Sequence, residues 1–111
     1  MDSISEQAAL DLAELFRSLG DVSRVRIIAA LAANELTVGD LALVANISES
    51  AASHQLRGLR QMRLVRPRRD GRYVYYRLDD DHVIDLFRQG LEHVEHRNEF
   101  GVGSDEDREP G

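Results

Sequence analysis

At 111 residues the chain has room for one domain with a modest core, and it is short enough to gain from dimerisation. The absence of cysteine excludes disulfides, thiolate metal sites and cysteine catalysis, and it suits a cytoplasmic protein. No apolar run approaches the ~20 residues that span a membrane, and no signal peptide opens the sequence.

The net charge of −6 would argue against a polyanionic partner if it were evenly spread. All 14 basic residues are arginine, however, and eight of them stand between Arg57 and Arg77 with Asp70 as the only acid. That window carries +7 and the remainder −13. A chain so polarised has one surface that attracts polyanions and another that repels them.

In chain order, Leu12, Leu15, Phe16 and Leu19 fall at helical spacing and predict a first helix over about Ser5 to Leu19. Gly20 is a suitable stop and Asp21 a suitable N-cap for a second helix, about Val22 to Ala33, with Val25, Ile28 and Leu31 inward. Arg24 and Arg26 flank that ridge and read locally as surface ion-pair partners. Leu36-Thr37-Val38 is a short strand or extended link. A third helix, about Val38 to Val44, presents Leu41 and Leu43, and Asn46-Ile47-Ser48 breaks it. Ser48 then caps a fourth helix over about Glu49 to Met62. Two short helices joined by a tight polar turn form a helix-turn-helix.

On the fourth helix Ala52, Leu56 and Leu59 share an inward face. Ser50, His54 and Arg57 lie opposite, with Ser53 and Arg60 on the shoulder. Small polar groups in the first turns and arginines behind them suit a helix entering a major groove, with base edges met first and phosphates later. The hairpin that follows, LVRPRRDGRYVYYRL, alternates Tyr73, Tyr75 and Arg77 with Val74, Tyr76 and Leu78. Asp70-Gly71 predicts a type I′ turn, and Pro67 confines the first strand to an edge or a short pairing. Arg68, Arg69 and Arg72 cluster at the tip. An arginine-tipped hairpin behind a helix-turn-helix is a wing, and Arg69 and Arg72 are its candidate DNA contacts.

The last helix, about Leu78 to Arg97, carries three of the four histidines. His82 and His93 share a face but stand roughly 16 Å apart along the axis, too far for one ion. His93 and His96, at i and i+3, are neighbours. Asp80 and His82 can share an ion only where the helix begins. An antiparallel second copy would bring Asp80 and His82 of one subunit to His93 and His96 of the other, and symmetry would repeat the site. One carboxylate oxygen and three imidazole nitrogens make a tetrahedral set for zinc. Ile84, Phe87, Leu91 and Val94 form a stripe for the subunit's own core, whereas Leu86 lies among the histidines and marks that face as a dimer interface. The plainer alternative is a set of solvated histidines on a charged helix. Residues 1–97 are expected to form one DNA-binding and dimerisation domain, and residues 98–111, rich in acids and glycine, a disordered tail.

From about Ala9 to Arg97 the chain resembles the ArsR/SmtB family of metal-responsive winged-helix repressors. The stretches that carry the resemblance are LFRSLGDVSRVRIIAAL, ELTVGDLA, SESAASHQLRGLR and DGRYVYYRL. Val22 stands where the family commonly has proline, a departure that touches only helix capping. The resemblance implies a mainly α fold with a small β-hairpin wing, a winged helix-turn-helix homodimer. Members sensing soft metals place cysteines in the segment that here holds Thr37 and Gly39, so that site is absent. Sensors using the last helix carry Asp-x-His and then His-x-x-His, matched by Asp80, His82, His93 and His96.

The resemblance further implies a repressor that binds double-stranded palindromic operator DNA. It would be released by Zn(II), Ni(II) or Co(II) at two intersubunit sites per dimer, with His93 linking the site to main chain near the reading helix. Nickel would want more ligands, which water, Asp2 or Glu6 would supply. Metal-dependent activation and a metal-independent winged-helix regulator are the alternatives. A protein-interaction module that binds no DNA is a third. An enzyme is disfavoured, because four protein ligands leave no open position for water or a small organic substrate, and no membrane partner is expected.

Overall fold

The computed structural model describes residues 3–99. Its elements run α1 (Glu6–Ser18), α2 (Val22–Ala33), β1 (Leu36–Thr37), α3 (Val38–Ala45), α4 (Glu49–Gln61), β2 (Val65–Asp70), β3 (Tyr73–Leu78) and α5 (Asp81–Glu99). The backbone forms two compact units, one ending at Asp79 and the other beginning at Asp80.

Side-chain oxygens start the helices where the sequence predicts. Ser5 accepts from the Ala8 N–H at 3.1 Å, Asp21 from Arg24 at 3.1 Å and Ser48 from Ala51 at 3.0 Å, each satisfying a donor that the first turn leaves unpaired. Gly20, by contrast, does not take up a left-handed backbone. Its N–H bonds the Arg17 carbonyl at 3.1 Å, so α1 ends in a tightened turn.

Among the described residues, the left-handed ones other than glycine are Asn46 and Arg63, both at φ 60°. Each closes a helix with the same pair of bonds. Ile47 N–H reaches Ala42 O at 3.0 Å and Asn46 N–H reaches Leu43 O at 3.2 Å. Leu64 N–H reaches Leu59 O and Arg63 N–H reaches Arg60 O, both at 2.9 Å. These are Schellman closures, and in the second the buried Leu59 and Leu64 supply the apolar contact that commonly accompanies one.

The core of the first unit is built from Ile27, Ile28 and Leu31 of α2, Leu41, Ala42 and Ala45 of α3, Ala52, Leu56 and Leu59 of α4, and Leu64, Val65 and Leu78 of the hairpin. Burying each large side chain contributes roughly 1.5–3 kcal/mol. Two expectations shift here. Ile27, not Val25, joins Ile28 and Leu31 inside, and Leu43 points outward at 81% exposure while Leu41 is fully buried. Helix α1 buries none of its residues, leaving Leu10, Leu12 and Phe16 exposed.

The strands form one antiparallel sheet in the order β1-β3-β2, which puts Pro67 on an edge strand as expected. The turn differs by one residue from the sequence reading. Asp70 pairs with Tyr73, so Gly71 and Arg72 are the central residues, and Gly71 alone of the two has positive φ. That is the pattern of a type II′ turn, with glycine first. The reason is cross-strand: an Asp70-Gly71 turn would set Arg69 directly across from Arg72, a like-charge pair. The observed register sets Arg69 across from Val74 and joins the buried Val65 and Leu78.

Candidate nucleic-acid and metal sites

Because Ala52, Leu56 and Leu59 turn inward, the reverse of α4 is presented outward, and Ser50, Ser53, His54, Arg57 and Arg60 are all exposed there. The hairpin adds two faces of different character. On one, Arg68 is tied down: its Nε donates to Glu35 Oε1 at 2.8 Å, and its guanidinium lies 5.1 Å from the Tyr75 ring centroid. The hydrogen bond and charge of Glu35 raise the Arg68 pKa still further. Arg66 lies 3.9 Å from Asp79.

The other face carries Pro67 and Arg69 across from Tyr76 and Val74. Together with Arg60 of α4 these residues line a cleft of about 420 Å³. Among the described residues neither Arg60 nor Arg69 is paired with an acid, so the cleft has two cations facing a partly apolar wall. That arrangement favours an anion. Arg72, at the tip, lies over the Tyr73 ring at 5.6 Å. Within the arginine-rich window Arg66 and Arg68 face acids, whereas among the described residues Arg57, Arg60, Arg69 and Arg72 form no ion pair. Tyr76 is a lining residue that the sequence reading did not single out, although the period-2 alternation places it on the Pro67 face.

In the second unit, Asp80 stands just before α5 and accepts the Val83 N–H at 3.1 Å, as an N-cap does. This bond, helped by the charge of His82, holds the Asp80 carboxyl below the usual carboxylate range. Asp80 Oδ2 is 3.7 Å from His82 Nδ1, and the His82 side chain is 95% exposed. The helix start therefore does bring Asp80 and His82 together. His93 and His96 are exposed on the later turns, and within one protomer the described residues hold no cluster of three or more metal-ligating side chains. Glu6 is exposed in the first turn of α1, and Asp2 lies outside the described residues. The tail expected from residue 98 begins later, because α5 runs on to Glu99, and its remainder, 100–111, lies outside the described residues.

The model of the bacterial regulatory protein arsR family matches residues 21–66, from the cap of α2 to the start of the wing. A transcriptional repressor SmtB homolog of Synechocystis sp. is 51% identical over 92 residues, covering 83% of this chain and 70% of the relative. The chain belongs to the arsR family. Among solved structures, this ArsR-family protein is similar to the AntR antimony-specific transcriptional repressor (32% identity, TM-score 0.78, 89% of this chain and 90% of that one). It is also similar to the homodimeric winged helix-turn-helix DNA-binding domain of a possible ArsR-family transcriptional regulator from Mycobacterium bovis (29% identity, TM-score 0.73, 94% and 97%). The fold is a winged helix-turn-helix, mainly α with a small antiparallel sheet, as the sequence implied. No helix among the described residues is long and apolar enough to cross a membrane.

Proposed function

We propose that this ArsR-family chain is a metal-responsive transcriptional repressor acting as a homodimer on double-stranded operator DNA. The observation that carries the metal half is the pairing of Asp80 and His82 at the start of α5, with the remaining imidazoles out of their reach in the same protomer. In this reading Asp80 and His82 ligate together with His93 and His96 of the partner subunit, two such sites arising from the symmetry of the dimer. One carboxylate, three imidazoles and no thiol fit Zn(II) or Co(II), and Ni(II) with added ligands. The bound ion supplies a cross-link between the two last helices.

The remaining steps fall to the chain's own side chains. The capped start of α4 offers Ser50, Ser53 and His54 to base edges, and Arg57, Arg60, Arg69 and Arg72 take phosphates. His93 couples the ends of the molecule through its second ring nitrogen, which is left to donate when the first ligates. Whatever factor metal takes from operator affinity, the operator takes from metal affinity. The relatives' names support repression and ligand specificity, and the M. bovis domain supports the dimer. Nothing in this role calls for catalysis.

The test is a titration of the apo protein on its own upstream DNA with zinc, nickel and cobalt in turn, repeated with His93→Ala/His96→Ala. Wild type is expected to leave the DNA with at least one ion, and the variant to bind equally with and without metal. A variant that still responds sinks the site assignment. A wild type indifferent to all three ions makes the protein a metal-independent regulator, and tighter binding with metal makes it a metal-dependent activator.

A further inference from the structure

Arg24 is not the surface ion-pair partner its local sequence suggests. It is half-buried, and none of the groups its side chain bonds is an acid. Its Nε donates to Gln55 Oε1 on α4 at 2.5 Å, and its Nη1 donates to the carbonyl of Ser18, the last residue of α1, at 3.1 Å. Its own backbone N–H is held by the Asp21 cap. One turn beyond Gln55 comes Gly58, where an added Cβ would lie 3.7 Å from Arg24 Nη2, so the guanidinium rests beside the bare backbone of α4. A single planar fork rooted in α2 thus grips the end of α1 and the inner flank of α4.

We infer that Arg24 is a positioning residue for operator recognition, fixing the angle of α4 against α1 without touching DNA itself. The physical case rests on three features. The Ser18 carbonyl is at the negative end of α1, which favours a cation. The guanidinium holds its donors in a rigid geometry that an ammonium lacks, so two acceptors on two helices are fixed relative to one another. Gln55 lies beside the outward row, one residue from His54, so any rotation of α4 that frees Gln55 also re-aims His54 and Arg57. Helix α1 exposes Leu12 and Phe16 and buries none of its residues, so the Ser18 contact is a polar tie at its end. Arg24 therefore connects the end of α1 with the helix proposed to read sequence. The inference rests on the operator-binding reading.

The test measures binding to the palindromic operator and to scrambled DNA, well below the melting temperature, for Arg24→Met, Arg24→Lys, Gln55→Met and the Arg24→Met/Gln55→Met double variant. Arg24→Met is expected to lose about tenfold in operator affinity, ~1.4 kcal/mol, with scrambled-DNA affinity unchanged. Arg24→Lys should resemble Arg24→Met, because restoring charge does not restore the fork. Gln55→Met, which leaves Arg24 on Ser18, should show the same selective loss even if Arg24→Met folds poorly. The double variant should lose no more than Arg24→Met alone. Wild-type affinity in both single Met variants, equal losses on operator and scrambled DNA, or an additive double variant would each overturn the inference. A wild type that binds no upstream DNA would overturn the operator reading beneath it as well.

Discussion

Helices α4 and α5 are alike in design and differ in completion. Both are amphipathic, both begin under a side-chain oxygen cap, and both carry histidine on the face away from their apolar stripe. Helix α4 buries Ala52, Leu56 and Leu59 within its own protomer, while α5 leaves Leu86, Leu91 and Val94 at 38%, 44% and 43% exposure. A face finished inside one chain leaves its reverse free to meet a ligand. Leu91 and Val94, expected to pack on the subunit's own core, stay exposed on the side away from the histidines, and Leu86 is exposed among them, so α5 leaves apolar surface on both sides. In the proposed reading the contrast separates a helix that reads DNA from one that pairs with a second copy.

The sharpest way to break this comparison is to truncate a leucine on each helix. Leu56→Ala should destabilise the fold by about 2–5 kcal/mol, since the cavity sits in a closed core. Leu91→Ala should leave the protomer's fold intact and raise the dimer dissociation constant about tenfold, ~1.4 kcal/mol. Urea titration and sedimentation equilibrium read the two quantities. A Leu91 variant with wild-type dimerisation would remove the case for α5 as the pairing element.

A second contrast lies between the two faces of the wing. Arg69→Ala should reduce the slope of log affinity against log salt by about 0.9, the loss of one phosphate contact. Arg68→Ala should leave that slope unchanged and loosen the wing instead, because Glu35 and Tyr75 already occupy its guanidinium. Equal slopes for the two variants would mean that the sorting of the arginines has no bearing on DNA.

The smallest effect concerns the end of α4. Replacing Arg63, whose left-handed backbone is strained with any Cβ, by glycine should stabilise the protein by about 1 kcal/mol. A shift of the urea midpoint to higher denaturant is the expected reading, and an unchanged midpoint would mean that the strain is relieved elsewhere.

How much of this was legible in the sequence follows from where each interaction is made. Caps at Asp21 and Ser48 and the inward face of α4 are local or periodic, and they are readable from residue type and spacing, whereas the Ser5 cap is not singled out. The turn at Gly71 was misplaced by one residue because Asp-Gly and Gly-Arg both satisfy a hairpin. Only the pairing of Arg69 with Val74 and of Val65 with Leu78 chooses between them. Leu43 and Val25 were misassigned because helical spacing shows a stripe without showing which of its edges meets a neighbour. The Arg24 to Gln55 bond spans 31 positions between helices, and no periodicity announces it. The candidate metal residues are legible as chemistry, for Asp-x-His at a helix start is a compact local signal. The partner copy that their spacing demands cannot be written into one chain.

The paired Schellman closures at Asn46 and Arg63 carry one further consequence. They flank α4 on both sides, and each anchors its bend with two main-chain bonds instead of relying on glycine. The Asn46 closure ends α3, and α4 itself is held by the Ser48 cap at its start and the Arg63 closure at its end, which resist fraying. If α4 reads DNA as proposed, it does so as a rod of constant length that meets a mismatched site by tilting as a whole.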